Sequence, residues 1–369
     1  MKAVMYGAGN IGRGFIGQLF CLSGYDVSFL DVNKDVINAL NAEHKYPVKI
    51  LYGDTSEEKW VTNVCGVDSG VQENVNKAVA EADVMATAVG VNILKFIAKP
   101  IAEALKVRWQ QNNPKPLNII ICENLIGADT YLKGLIAENM NDGEKDKLNT
   151  LVGFVEASIG RMVPVQTPEM QDGNILRVCV ESYAALPLDS AAVVGERPHI
   201  EGAVWFTPFE YYIQRKLFIH NMGHAMTAYL GKIRGYEYIW QAIGDADIQK
   251  KVIKAMTQSA LALSKRHGVD FEQIEEHVFD LVNRFGNKQL GDTVARVGND
   301  LKRKLDKNDR LVGAYNMCKE QGVGNDAIML GIAAALKFED TDTEAILREV
   351  SGLSAAEIEK IVELSKTIL

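Results

Sequence analysis

The segment Lys216-Leu-Phe-Ile-His220-Asn221-Met-Gly-His224 places an amine, an amide and two imidazoles close together along the chain. On a helix turning about 100° per residue, with Lys216 at zero, His220 falls at about 40°, His224 at about 80° and Asn221 at about 140°. Phe218, Ile219, Met222 and Met226 take the opposite arc, so one face reads as core and the other as a polar stripe. Burial lowers the pKa of a lysine and makes its amine a base for a hydroxyl proton. An amide such as Asn221 donates hydrogen bonds to an oxygen that gains negative charge. A solvated helix face would show the same spacing, so the stripe gains meaning only from the rest of the chain.

The context stands at the other end of the sequence. Gly7-Ala8-Gly9-Asn10-Ile11-Gly12 is a G-x-G-x-x-G run between an apolar segment, Ala3 to Tyr6, and a helical pattern over 10–23 with Ile11, Phe15, Leu19 and Phe20 as its apolar stripe. Gly7 permits the tight turn, Gly9 lets a pyrophosphate approach the backbone, and Gly12 lets helix and strand pack closely. The helix N-terminus then holds the phosphates. A second strand, Asp26 to Leu30, ends at Asp31, about 20 residues past the loop, where a carboxylate accepts from an adenine-ribose hydroxyl and repels a 2′-phosphate. The pattern predicts an NAD site. Thr87 and Val89 close another strand at the same sheet edge, on the nicotinamide side. Asn124 follows the buried run Leu117 to Cys122 and supplies a further amide at that edge. Oxidising an alcohol needs a base for the proton and donors for the oxygen. No zinc-ligand spacing is present, so Lys216, Asn221 and Asn124 are the candidates and no metal is expected.

The elements that must position these residues divide the chain. Short apolar runs at Val84 to Val89 and Leu117 to Cys122, separated by helical patterns, predict an α/β, Rossmann-type, doubly wound parallel sheet. Leu151 to Val155 and Ile175 to Ser182 read as further strands, extending the same sheet. Glycine and proline near 195–202 suggest a boundary, giving a dinucleotide domain over 1–195 and a mainly α-helical substrate domain over 196–369. In the latter the period becomes 3.6, with helices predicted near 207–230, 249–266, 271–284, 309–320 and 324–337. Ser354 and Glu357 predict a capping box for the last helix.

Composition narrows the function. With 369 residues, 47% hydrophobic and 24% charged, the chain is long enough for two globular domains. Lysine plus arginine is 40 and aspartate plus glutamate 48, a net charge of −8 that argues against nucleic acid or an anionic membrane as partner. Cys21, Cys65, Cys122, Cys179 and Cys318 are scattered and odd in number, as expected in a reducing compartment, the cytoplasm by default. No signal peptide is expected ahead of the first strand, and the apolar runs fall short of a membrane helix.

Gly7-Ala-Gly-Asn-Ile-Gly-Arg-Gly14, Cys122-Glu-Asn124 and Lys216-x4-Asn221-x2-His224 together resemble the polyol-specific long-chain dehydrogenases, the mannitol dehydrogenase family. The run Asn221 to Gly231, with Gly331-Ile-Ala-Ala-Ala-Leu336, and the modest length are similar to the branch of that family that handles a sugar phosphate. The resemblance implies a zinc-independent NAD enzyme interconverting D-mannitol 1-phosphate and D-fructose 6-phosphate. It gives the general base to Lys216, polarisation of the reacting oxygen to Asn124 and Asn221, and positioning of substrate to His224. For the substrate's phosphate, the basic groups Arg284, Arg296, Lys302, Arg303 and Lys304 are available, and the family pattern favours Arg296 and Arg303. Asn299, Lys288 and Gly160 depart from that pattern, and His220 is an unusual neighbour of the base. A dehydrogenase of a non-phosphorylated polyol, sugar acid or hydroxyacid is the rival enzyme reading, and a catalytically silent NAD-binding protein the rival from another class. Monomer and dimer stay open.

Overall fold

Strand β1 (Lys2–Tyr6) shows how the first unit is built: Ala3 and Met5 enter one apolar core while Val4 and Tyr6 enter another. Successive side chains of a strand point to opposite faces, so a strand apolar at both parities must be covered on both sides. β2 (Asp26–Asp31) and β7 (Leu117–Ile121) divide between the same two cores. The computed structural model describes residues 1–339 and 342–368.

The chain separates into two compact units, Met1–Phe209 and Glu210–Leu369. The division falls later than residue 195, because β11 (Ala203–Phe206) pairs in parallel with β10 (Leu186–Asp189) and so stays with the first unit. The main sheet of that unit has six parallel strands in the order β5 (Val64–Asp68), β2, β1, β6 (Val84–Thr87), β7, β8 (Val152–Glu156). The chain winds outward one way from β1 through β2 and then the other way from β6. Between β1 and β6 lies the switch point, outside whose carboxyl ends ligands bind in such sheets.

The strand expected over 175–182 does form, as β9 (Val178–Glu181), but it does not extend the main sheet. It pairs with β3 (Lys45–Leu51), which also pairs antiparallel with β4 (Ser56–Thr62) in a separate three-stranded sheet. The expected helix over 10–23 also differs in detail, opening with a π-turn at Gly12–Ile16 before the α-helical turns Gly17–Leu22.

Among the described residues, every regular element of the second unit is a helix. Helices Ala246–His267, Phe271–Phe285, Val312–Glu320 and Asp326–Ala335 follow the 3.6 periodicity. Most of helix Met222–Ile233 is buried, and it packs against Ile239–Gly244, Ala246–His267, Val294–Gly298 and Asp326–Ala335. Polar caps fix the ends: Asp245 accepts from the N–H groups of Asp247 and Ile248, and Ser354 with Glu357 forms the expected capping box.

Candidate active site

In the first unit, the glycine loop is held by contacts that leave no room for side chains at two of its three glycines. A Cβ on Gly12 would lie 2.0 Å from the Gly7 carbonyl oxygen, and one on Gly7, whose φ is +102°, 2.5 Å from that of Ala88. At Gly9 a Cβ would meet no protein atom within 4 Å. Packing therefore explains Gly7 and Gly12, while Gly9 leaves an open cradle of the kind a pyrophosphate fills. Asn10 is exposed beside it, and Ile11 is half-buried at the start of the helix.

Asp31 closes β2 and reaches back to the loop. One of its oxygens accepts from the Ala8 N–H at 2.7 Å and the other from the Asn33 N–H at 2.9 Å. The Ala8 amide is thus committed to fixing the acid, and the half-exposed carboxylate keeps lone pairs for a ligand. Beneath the loop, the buried Arg13 guanidinium donates to the Ala8 carbonyl, and to that of Leu176 at 3.2 Å.

Thr87, at the end of β6, is fully buried, and its hydroxyl has no hydrogen-bond partner. Two residues on, the Val89 and Gly90 N–H groups donate to the two oxygens of Glu123, at 2.9 and 2.8 Å. Glu123 is the middle residue of Cys122-Glu-Asn124, and motif reading gave it no role. It sits between the buried Cys122 and the exposed Asn124, just past β7. An acid directly after a buried strand at the carboxyl edge was the available signal.

In the second unit, Lys216 begins a π-turn, Lys216–Asn221, that interrupts the helix between Glu210–Arg215 and Met222–Ile233. The wheel at 100° per residue separates Lys216 from Asn221 more widely than the backbone does. An i→i+5 turn sets Asn221 one turn above Lys216, and such turns recur at functional sites. Burial of the amine, helped by the positive charge of Arg310, lowers the Lys216 pKa from 10.5 to about 8. His220 is buried in the same turn, its ring centroid 5.8 Å from that of Phe285, and burial together with the Arg284 charge holds its pKa well below the usual imidazole value.

His224 lies one turn further on. Its ring stacks on Phe285 with centroids 4.8 Å apart and planes 11° from parallel. Its Nε2 stands 3.3 Å from Asp292 Oδ2. The other Asp292 oxygen accepts from Arg296. Burial pushes the Asp292 carboxyl upward, but His224 and Arg296 outweigh it and hold it below the ordinary value.

Arg303 pairs through Nε with Asp300 at 2.5 Å and approaches Asp309 at 3.6 Å, while Arg310 meets Asp309 at 2.7 Å. Arg296 and Arg303 are each about half exposed. Lys304 is turned inward to the Val297 carbonyl at 2.6 Å and to that of Asn299. At Gly160, a Cβ would approach Tyr183 to 3.1 Å, so an acid there would press on that ring. Among the described residues no cluster of histidine, cysteine or carboxylate side chains has the makings of a metal site. No helix there is long and apolar enough to cross a membrane.

A parallel sheet that reverses direction beside a glycine loop, in a chain whose second unit is helical and holds a desolvated lysine, follows the plan of the Rossmann-fold oxidoreductases, and the protein is an enzyme of that class. Residues 1–202 match the mannitol dehydrogenase Rossmann domain and residues 209–362 the mannitol dehydrogenase C-terminal domain, so the chain belongs to the mannitol dehydrogenase family. It is 38% identical to mannitol-1-phosphate 5-dehydrogenase of Thermoanaerobacter pseudethanolicus over 92% of this chain and 86% of the relative. It is 39% identical to the enzyme of that name from Bacillus velezensis, over 94% and 90%. Among solved structures, its fold is that of a substrate-free D-sorbitol dehydrogenase, with TM-score 0.85 at 16% identity over 100% of this chain and 93% of the other. The Pseudomonas fluorescens mannitol 2-dehydrogenase, solved with NAD and D-mannitol, is also similar, with TM-score 0.73 at 16% identity over 99% and 90%.

Proposed function

We propose that this chain interconverts D-mannitol 1-phosphate and D-fructose 6-phosphate, with NAD as the hydride carrier. The observation that carries the chemistry is Lys216, an amine whose burial brings its pKa to about 8, one π-turn below an amide. The substrate reading is supported by relatives 38% and 39% identical that bear the name of this reaction. The cofactor reading is supported by the open cradle at Gly9, the half-exposed Asp31 and the buried, unpartnered Thr87 hydroxyl. These residues fit a dinucleotide, with Gly7 to Gly12 at its pyrophosphate, Asp31 at its ribose, and Thr87, Val89 and Asn124 toward the nicotinamide.

When bound, the dinucleotide exchanges a hydride with the carbinol carbon. In oxidation, Lys216 in its neutral form takes the hydroxyl proton at Nζ; in reduction, its ammonium returns that proton to the forming alcohol. We assign Asn221 and Asn124 as amide donors to the oxygen whose charge changes, and His224 as a hydrogen-bonding partner for substrate hydroxyls. Arg296 and Arg303 are assigned to the phosphate. Each already serves a carboxylate, but a guanidinium has five N–H donors and retains several for a second anion.

The test is reduction with NADH of fructose 6-phosphate and of fructose at equal concentration. The expected outcome is rapid turnover of the phosphate ester and little of the free sugar. Equal rates would overturn the phosphate assignment, and turnover of neither would overturn the substrate.

A further inference from the structure

His224 is held by a residue that belongs to none of the sequence motifs. Asp292 is set on fixed backbone: its carbonyl accepts from the Ile239 N–H at 2.9 Å, and the next residues bridge to Glu237 and Tyr238. Its side chain is only 12% exposed and stands between two candidate site residues, with Oδ2 3.3 Å from His224 Nε2 and Oδ1 on the Arg296 guanidinium. Phe285, itself buried, stacks flat on the His224 ring and fixes its plane. A carboxylate beside Nε2 favours the proton on that nitrogen, which leaves Nδ1 as a lone pair. A buried negative charge also holds a guanidinium in place more strongly than a neutral acceptor does.

We propose that Asp292 is a positioning residue for the reaction: through one carboxylate it selects the Nε2–H form of His224 and orients Arg296. The proposal rests on the functional reading above only for the identity of the substrate. It implies that Asp292 serves the polyol end and is silent toward the dinucleotide.

The experiment uses the full chain with Asp292→Asn, which keeps the shape and removes the charge. Three readouts are taken: the His224 tautomer, from nitrogen chemical shifts in histidine-labelled protein, steady-state kinetics with fructose 6-phosphate and NADH, and the NADH dissociation constant. Expected are a population shift from Nε2–H toward Nδ1–H and a fall in kcat/KM for the sugar phosphate of about 10- to 100-fold, the range lost when a residue that orients a ligand is removed. The NADH dissociation constant should stay within about twofold, since uniform damage would move both substrates. If D292N does not fold, Asp292→Glu takes its place and should keep the tautomer while losing part of kcat/KM. In D292N an unchanged tautomer, or a shifted tautomer with unchanged kcat/KM, overturns the proposal; in D292E a shifted tautomer, or an undiminished kcat/KM, does so. If the unaltered protein fails to reduce fructose 6-phosphate while the tautomer still shifts in D292N, the substrate reading falls and the tautomer-selecting role of Asp292 stands.

Discussion

Replacing Lys216 by methionine should abolish turnover and make the protein more stable at neutral pH. Burial lowers the amine's pKa from 10.5 to about 8 in the folded chain. At about 1.4 kcal/mol per pKa unit, holding the ammonium in its site costs up to about 3 kcal/mol. The sign follows from linkage: the folded pKa lies below the unfolded one, so between the two the unfolded chain binds more protons and stability rises with pH. Below about 8 both states are protonated and the folded chain bears the full cost; near 10.5 that cost has faded. Methionine matches the lysine stem in bulk and carries no charge. Lys216→Met should therefore gain up to about 3 kcal/mol at pH 7 over the parent, a gain that shrinks toward zero near pH 10.5.

The assay is urea denaturation of both proteins at pH 7 and at pH 10, following a signal from the second unit because two units need not unfold together. Other groups titrate over this range, but they are common to both proteins and cancel in the difference. A gain of equal size at both pH values, or a loss at pH 7, would refute the desolvation argument. The same pKa sets the activity profile of the parent: polyol oxidation needs the neutral amine and should rise as pH passes about 8, while ketose reduction needs the ammonium and should fall.

Four further substitutions test the dinucleotide side. Gly12→Ala puts a methyl 2.0 Å from the Gly7 carbonyl and should destabilise the first unit, whereas Gly9→Ala meets no protein atom and should fold normally while weakening NADH binding; calorimetry with and without NADH separates the two. Glu123→Gln leaves one of the Val89 and Gly90 N–H groups facing an amide instead of a carboxylate oxygen. Losing a charged hydrogen bond of about 1.5–3 kcal/mol should raise the NADH dissociation constant about tenfold or more, measured by fluorescence titration, and an unchanged constant would show that the loop holds its shape without the acid. Asp31→Ser removes the charge facing a 2′-phosphate and the acceptor of the Ala8 N–H, so the ratio of NADPH to NADH kcat/KM should rise while NADH affinity falls; a constant ratio would refute the charge argument.

The main sheet was legible because buried parallel strands are continuous apolar runs, and Ala3 to Tyr6, Val84 to Thr87 and Leu117 to Ile121 are of that kind. Strand β4 was not, since Ser-Glu-Glu-Lys-Trp-Val-Thr is exposed at almost every position and shows no period; with β4 unseen, the sheet that claims β9 was unseen too. The site divides along a similar line. Lys216, Asn221, Gly7 to Gly12 and Asp31 stand in short local patterns whose spacing carries meaning before folding. The π-turn was hidden because a wheel assumes one pitch, and here the pitch changes at the residue that matters.

Asp292, Glu123 and Asp309 were hidden for a different reason. Two of them act on groups distant in sequence: Asp292 on His224, Glu123 on Val89 and Gly90. Asp309 joins Arg303 to Arg310, whose charge helps depress the Lys216 pKa. A motif records the groups that meet a ligand, because their mutual spacing is fixed by one stretch of backbone. The acids that hold those groups come from other elements, where any loop that delivers a carboxylate to within about 3 Å serves equally well. In this protein, all three acids sit against candidate ligand-binding groups or the loop that carries them. A substitution at Asp292 or Asp309 should accordingly change how well a site residue works without removing any residue that the motifs contain, and one at Glu123 should do the same from inside a motif that gives it no role.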